Sequence, residues 1–333
     1  MKITFKVLIA VILVATVVYF IGPKPKHPEY NTEIPPVPDL NQLEDYVKKI
    51  ESKHKVKPGN EAEIVWADSA LKTQSEYSIV YLHGYSASKE EGNPVHRHLA
   101  KEIKANLYLA RLADHGVDTT SAMEYFTADR LWESAKQAME IGKRLGKKII
   151  LVGTSTGGTL ALKLAATYPD QINSLILISP NIEINDKMAF MLNAPWGLQI
   201  ARLALGGKER VIEGESATYE KYWYTRYRLE STVQLQELVE TSMNKQTFEK
   251  VKQPVLLLYY YKNEQEQDPT VKVSAELSMF DELGTPTGLK VKTAIPNGAS
   301  HVLGSHITSK DIPAVEKAID NFTHTVLKIP VQH

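Results

Sequence analysis

The sequence contains no cysteine in 333 residues. That excludes disulfides, thiolate nucleophiles, iron–sulfur clusters and cysteine-ligated zinc. It has no excess of either charge: 39 Lys+Arg balance 39 Asp+Glu. An electrostatic footprint for a nucleic-acid partner is therefore missing. It also lacks the weak hydrophobicity and high net charge of a disordered chain, having 43% hydrophobic and 23% charged residues. There is no phosphate-binding loop, no dinucleotide fingerprint and no HExxH, so no cofactor is expected. His96 and His98 come closest to a metal pair. Two residues apart in a helical stretch they diverge, with no third ligand evident, so surface positions and no metal are expected. The length suits one large domain, with or without an insertion.

The one long apolar run is N-terminal. It covers residues 7–21, after Lys2 and Lys6. By itself it is short of the ~20 residues that a bilayer span needs, and counting from Ile3 with Lys6 snorkelling brings it to length. Phe20, Ile21 and Gly22 close the run without the small residues of a cleavage site. Val and Ile crowd every face, unlike a soluble amphipathic helix. Residues 1–22 are therefore expected to form an uncleaved single-helix membrane anchor, with a cleaved signal segment as the alternative. Lysines on both sides nearly cancel under the positive-inside rule. A short cytoplasmic head with an exported body is the expected placement. Residues 23–60 read as a linker, Pro-rich and semi-extended over 23–38.

Beyond the linker the pattern alternates. Short apolar runs at 63–67, 79–82, 107–109, 149–152, 175–178, 255–261 and 289–295 read as strands. Helical spacing appears at 43–50, 95–103, 128–145, 156–168 and 312–327. Apolar strands alternating with helices imply a mostly parallel sheet covered on both faces. Residues 181–250 break the rhythm. They are rich in aromatics and hold no convincing strand, so they are expected to be a helical insertion. It separates a first part of the body, 61–180, from a second, 251–333.

The strongest local signal is Gly153-Thr154-Ser155-Thr156-Gly157, directly after a strand and directly before a helix. So tight a turn holds the central Ser in a strained conformation, and side chains two residues either side would clash, hence Gly at both. The helix N-terminus beneath it supplies a positive dipole and free N–H groups. Upstream, SIVYLHGYSAS ends a strand at His83-Gly84.

Together these motifs resemble the α/β-hydrolase superfamily, in particular carboxylesterase, monoacylglycerol lipase and lysophospholipase-like serine hydrolases with a helical cap. The resemblance covers about residues 63–333. It implies an α/β-hydrolase fold, with 181–250 where the cap or lid sits. It implies Ser155 as nucleophile and the backbone N–H groups of Tyr85 and Thr156 as an oxyanion hole. In AIPNGASHVLGS a loop after a strand presents His301, which the family order Ser…acid…His makes the general base, with His306 the natural misassignment. The loop KNEQEQDPTVKV supplies the acid. Asp268, followed by Val271, fits best, with Glu264 and Glu266 as alternatives. Ser rather than Asp at the elbow argues against dehalogenase or epoxide hydrolase chemistry. ARLADHG resembles the family loop ending in Gly-His-Gly, with Asp114 in place of the first Gly. The implied activity is hydrolysis of a small-molecule ester or lipid-like substrate through an acyl-enzyme. A peptidase or amidase on the same fold and a non-catalytic binding protein are the alternatives.

Overall fold

The computed structural model describes residues 2–330, with side chains from residue 5 onward. Helices are α1 (Lys2–Phe20), α2 (Leu43–Glu51), α3 (Val95–Glu102), α4 (Ala128–Leu145), α5 (Thr156–Thr167), α6 (Gly197–Ala204), α7 (Ala217–Tyr222), α8 (Leu229–Ser242), α9 (Lys245–Lys250), α10 (Val273–Glu282) and α11 (Ile312–Thr325). Strands are β1 (Glu63–Val65), β2 (Ser75–Leu82), β3 (Asn106–Leu109), β4 (Gly146–Thr154), β5 (Ser174–Ile178), β6 (Glu209–Val211), β7 (Arg226–Arg228), β8 (Val255–Tyr259) and β9 (Lys290–Ala294).

Seven strands form one sheet in the order β1-β3-β2-β4-β5-β8-β9, parallel except for β1 at one edge. This is the α/β-hydrolase fold expected from the sequence. The strands are apolar on both faces because both are covered. Val80, Leu82, Leu151, Leu175, Leu177 and Leu257 point to the side packed by α4 and α5. Ile79, Tyr81, Ile150, Val152, Ile176 and Leu256 point to the side packed by α3 and α11. Each such side chain contributes about 1.5–3 kcal/mol by leaving water. α4 begins where Thr127 accepts the Arg130 N–H, and its inward stripe includes Leu131, Trp132, Ala135, Met139 and Leu145.

The sheet grows from β2 to β3 on one side, then returns past β2 to β4 on the other. Side by side, β2 and β4 pair Leu82 with Gly153. Their carboxyl ends therefore form a topological switch point, the place in an open α/β sheet where a crevice opens and ligands bind.

Three expectations are corrected. Among the described residues no helix is long and apolar enough to cross a membrane. The unbroken apolar run of α1, residues 7–20, rises only ~21 Å against a hydrocarbon core of about 30 Å. The expected uncleaved membrane anchor, or signal-anchor, and the exported placement that followed from it are set aside. The segment over 23–38 is extended but docked: Trp132 Nε1 donates to Asn31 O at 2.8 Å, and Tyr168 OH donates to Thr32 O at 2.8 Å. Lys136, fully buried, donates to Asn31 O and Glu33 O at 2.7 and 2.6 Å, which satisfies an ammonium that could not otherwise leave water. The third correction concerns 181–250, where β6 and β7 form a two-stranded antiparallel ladder among four helices. Three-residue strands carrying Glu and Arg leave no apolar alternation to detect. The aromatics there divide. Tyr224 and Tyr227 join the main core, Trp223 packs with Ala87 and Val302, and Met188 and Phe190 face solvent.

Candidate active site

Ser155 sits at the junction of β4 and α5 with φ 51° and ψ −118°. Such a conformation costs a non-glycine residue of order 1–3 kcal/mol, so its surroundings must over-determine it. They do. The Ser155 N–H donates to Ile178 O at 3.0 Å, and its carbonyl accepts the N–H groups of Gly158, Thr159 and Asn181. The flanking glycines are obligatory: a Cβ at Gly153 would lie 2.5 Å from Gly157 O, and one at Gly157 would collide with the Leu82 carbonyl. Thr156 opens α5, so its N–H has no partner within the helix. Ser155 is 7% exposed and its Oγ makes no hydrogen bond among the described residues, to His301 or otherwise.

Across the switch point lies the turn after β2. Three successive N–H groups in it have different fates. Gly84 N–H donates to a Glu91 carboxylate oxygen, and Ser86 N–H donates to His115 Nε2 at 3.1 Å. The Tyr85 N–H between them has no acceptor among the described residues. The peptide that carries it is held from its other edge, because His83 Nδ1–H donates to Gly84 O at 2.9 Å. His83 Nε2 in turn accepts the Leu112 N–H at 3.1 Å, and His115 Nδ1–H donates to Ala113 O at 2.8 Å. Both imidazoles are thus used as neutral clamps. Burial drives both pKa values down, His115 to about 4 and His83 well below its ordinary value. ARLADHG is the source of this second clamp. Asp114 takes φ 63°, in the left-handed region where Asp substitutes for Gly with least strain, and Gly116 follows at φ 65°. Tyr85 itself reaches outward, its OH 2.6 Å from Ser231 Oγ on α8.

Asp268 and His301 meet, with the His301 Nδ1–H donating to Asp268 Oδ2 at 2.7 Å. The other carboxylate oxygen accepts the N–H groups of Thr270 and Val271 at 2.8 and 3.0 Å, which fixes its orientation. Burial acts to raise Asp268, but the His301 charge and these hydrogen bonds outweigh it and leave the carboxyl below its ordinary pKa. Burial likewise acts to lower His301, and Asp268 outweighs that, so the imidazole titrates above its ordinary value. The rival acids face solvent, Glu264 bonded to Tyr261 OH and Glu266 to Lys262. His306 is exposed and bonds Asn93 O. The His301 loop is stapled to the segment after the Gly84 turn by a Pro94–Ser305 bridge and by His306 N–H donating to Asn93 O at 2.9 Å.

The sequence profile of the alpha/beta hydrolase fold matches residues 77–299, from β2 to the His301 loop. The chain belongs to this family. This alpha/beta hydrolase is 35% identical over 103 residues to monoacylglycerol lipase ABHD6 of Homo sapiens, a stretch of 31% of this chain and 30% of that protein. It is 35% identical over 111 residues to monoacylglycerol lipase abhd6-A of Xenopus laevis, 33% and 32% of the two chains. The matches thus span about a third of these curated relatives. Among solved structures, the metagenome-derived lipolytic enzymes LipS and LipT share the fold at TM-score 0.62 and 17% identity, over 80% of this chain and 98% of that one. The monoacylglycerol lipase of Paleococcus ferrophilus does so at TM-score 0.56 and 16% identity, over 78% and 95%.

Two surface clefts of the hydrolase lie elsewhere, one between β9 and α11, the other between α8 and α10, and neither is lined by Ser155, Asp268 or His301. His98 bonds Asp320, but His96, expected at the surface, is buried against Tyr81 with Nε2 on Lys89 O. The two rings diverge as their spacing requires, one inward and one outward. What sequence reasoning missed is Glu91. It is 2% exposed, and its carboxylate lies 2.7 Å from where a Cβ on Gly84 would be, while Ser155 Cβ lies 3.0 Å from the same point. Burial raises its carboxyl to about 7, with the Gly84 N–H, His301, Tyr81 and the Trp223 indole pulling the other way. No motif spacing marks it. A Glu in the run Lys89-Glu90-Glu91 reads as a solvated charge.

Proposed function

We propose that this alpha/beta hydrolase cleaves carboxylic esters by a Ser155–His301–Asp268 triad through an acyl-enzyme. The Ser155 hydroxyl attacks the ester carbonyl while His301 Nε2 takes its proton. Asp268, already holding Nδ1–H, keeps the tautomer that leaves Nε2 free to accept and stabilises the imidazolium that forms. The tetrahedral oxyanion is received by the N–H groups of Tyr85 and Thr156, whose charge-stabilising work falls only in the transition state. The imidazolium protonates the leaving alcohol, the acyl-enzyme remains, and water activated by the same imidazole releases the acid. No cofactor or metal takes part in this scheme.

One observation carries the reading: a strained serine at the switch point faces a turn in which the N–H groups on either side of Tyr85 are engaged and that of Tyr85 has no acceptor among the described residues. Residues 61–180 and 251–333 act as the hydrolase body, 181–250 as its cap and 23–60 as a lead segment. Similarity to proteins named monoacylglycerol lipases supports a substrate with a medium or long apolar acyl chain. A panel of p-nitrophenyl esters of increasing chain length, run beside aminoacyl anilides, tests both bond and chain preference. A fluorophosphonate probe is expected to label the wild type and not Ser155→Ala. Faster turnover of the anilides indicates a peptidase or amidase. Folded wild-type protein that neither labels nor turns over is a binding protein.

A further inference from the structure

Glu91 is used by nothing in the mechanism above, yet it is buried at the point where the two halves of the site meet. Gly84 separates its carboxylate from Ser155 Cβ: an added Cβ would stand 2.7 and 3.0 Å from the two Glu91 oxygens and 3.0 Å from Ser155 Cβ, so a larger residue would have to displace one of them. The same carboxylate accepts Gly84 N–H and lies 3.4 Å from the Tyr81 hydroxyl. Trp223 belongs to the 181–250 segment and packs on Ala87 and on Val302, the neighbour of His301.

Peptide planarity gives this contact a consequence. The Tyr85 N–H and the Gly84 carbonyl share one rigid unit. His83 Nδ1–H holds that carbonyl, and Glu91 holds the N–H of the unit before it. With both fixed, the Tyr85 N–H can point in one direction only. Without the Glu91 acceptor, a buried Gly84 N–H is left unpaired, and the glycine, freest of all residues about its backbone, turns to seek another partner.

We propose that Glu91 is a positioning residue for the oxyanion site, its buried carboxylate clamping the turn so that the Tyr85 N–H stays aimed. This rests on the ester-hydrolase reading. It concerns the acceptor oxygen rather than the charge, and two conservative variants separate these. Glu91→Gln keeps an oxygen at the same reach and loses the charge. Glu91→Asp keeps the charge and withdraws the oxygen by one methylene.

The experiment measures kcat and KM of each variant on a p-nitrophenyl ester and on the matching thionoester, whose sulfur draws little from an oxyanion hole. Folding is checked by circular dichroism melting. Losing an oxyanion donor outright costs about 10²–10³ in kcat, so a misaimed one is expected to cost about tenfold. Glu91→Asp is expected to lower ester kcat about tenfold at little-changed KM and to lower the ester-to-thionoester ratio by the same factor. Glu91→Gln is expected to stay near wild type in both. Equal loss in Gln and Asp, or loss of kcat with the ratio unmoved, overturns the proposal and leaves the hydrolase reading standing. Wild-type activity in Glu91→Asp overturns it too. A wild type inert to both esters and to fluorophosphonate overturns the hydrolase reading, and the proposal with it.

Discussion

Two buried glutamates bear on the Asp268–His301 pair from its two members. Glu91 acts on His301, and Glu276, on α10, acts on Asp268. Both are essentially closed to solvent. Burial raises both carboxyls, and there the likeness ends. Glu91 is met by the Gly84 N–H and the Tyr81 hydroxyl, and its pKa is held to about 7. Neither carboxyl oxygen of Glu276 has a partner among the described residues; burial, with the Asp268 charge adding to it, raises its pKa well above the ordinary value. A buried carboxyl surrounded by donors is a structural tool, and one without them is a stability cost. The contrast says which of the two the molecule uses.

The largest way to test that contrast is to remove what the glutamates flank. Ser155→Ala is expected to abolish turnover, a loss on the order of 10⁶-fold in kcat, in the fluorophosphonate-silent protein. Asp268→Asn comes next, at roughly 10⁴-fold, because the amide favours the wrong imidazole tautomer. The same variant checks the electrostatics. Asp268 holds the His301 pKa above its ordinary value, and the base form exists only above that pKa. The acid limb of wild-type kcat/KM is therefore expected above the usual imidazole range, and in Asp268→Asn it moves to lower pH. A limb that stays in place would count against His301 as the base. The Glu91→Asp and Glu91→Gln pair, at about tenfold against no change, sharpens the donor side of the comparison.

The smallest effect on activity, and an opposite one on stability, is expected for Glu276→Met. Removing an unpartnered buried carboxyl at similar volume is expected to leave kcat within about twofold and to raise stability by at least about 1 kcal/mol at neutral pH. The direction with pH follows from linkage. Because the folded pKa is raised, whatever stability the group allows is fully present below the unfolded value of about 4.3 and is lost as pH rises toward the folded one. The advantage of Glu276→Met is therefore larger at pH 7 than at pH 4, which denaturant titrations at the two pH values check. Destabilisation at pH 7 would mean that the folded protein pairs the Glu276 carboxyl.

Much of the body was legible along the chain. Apolar strands and amphipathic helices announced themselves by period: α4 begins and ends where the pattern of 128–145 places it. The elbow was legible because strain leaves a chemical trace, glycine at 153 and 157, whose contacts admit no Cβ. Three things were not legible, each for a physical reason. Glu91 and Lys136 are ionisable residues in polar company, and nothing local distinguishes a solvated charge from one that the fold buries with partners. The lead segment 23–38 looks like a spacer because its anchoring donors, Trp132, Lys136 and Tyr168, lie about a hundred residues further on. The apolar run at the start looks like a span only when residues 3–6 are counted with Lys6 snorkelling, and the run itself falls short of a bilayer's thickness.

By itself the sequence determined the mostly parallel sheet and the strained serine turn, since both follow from local spacing and backbone sterics. Only the tertiary structure decided that Asp268 rather than Glu264 or Glu266 reaches His301 and that, among the described residues, the Tyr85 N–H has no acceptor between two engaged neighbours and Glu91 has donors where Glu276 has none. The reason is that hydrogen bonding and dielectric at a residue are set by whatever packs against it, and here those groups come from elements far away in the chain.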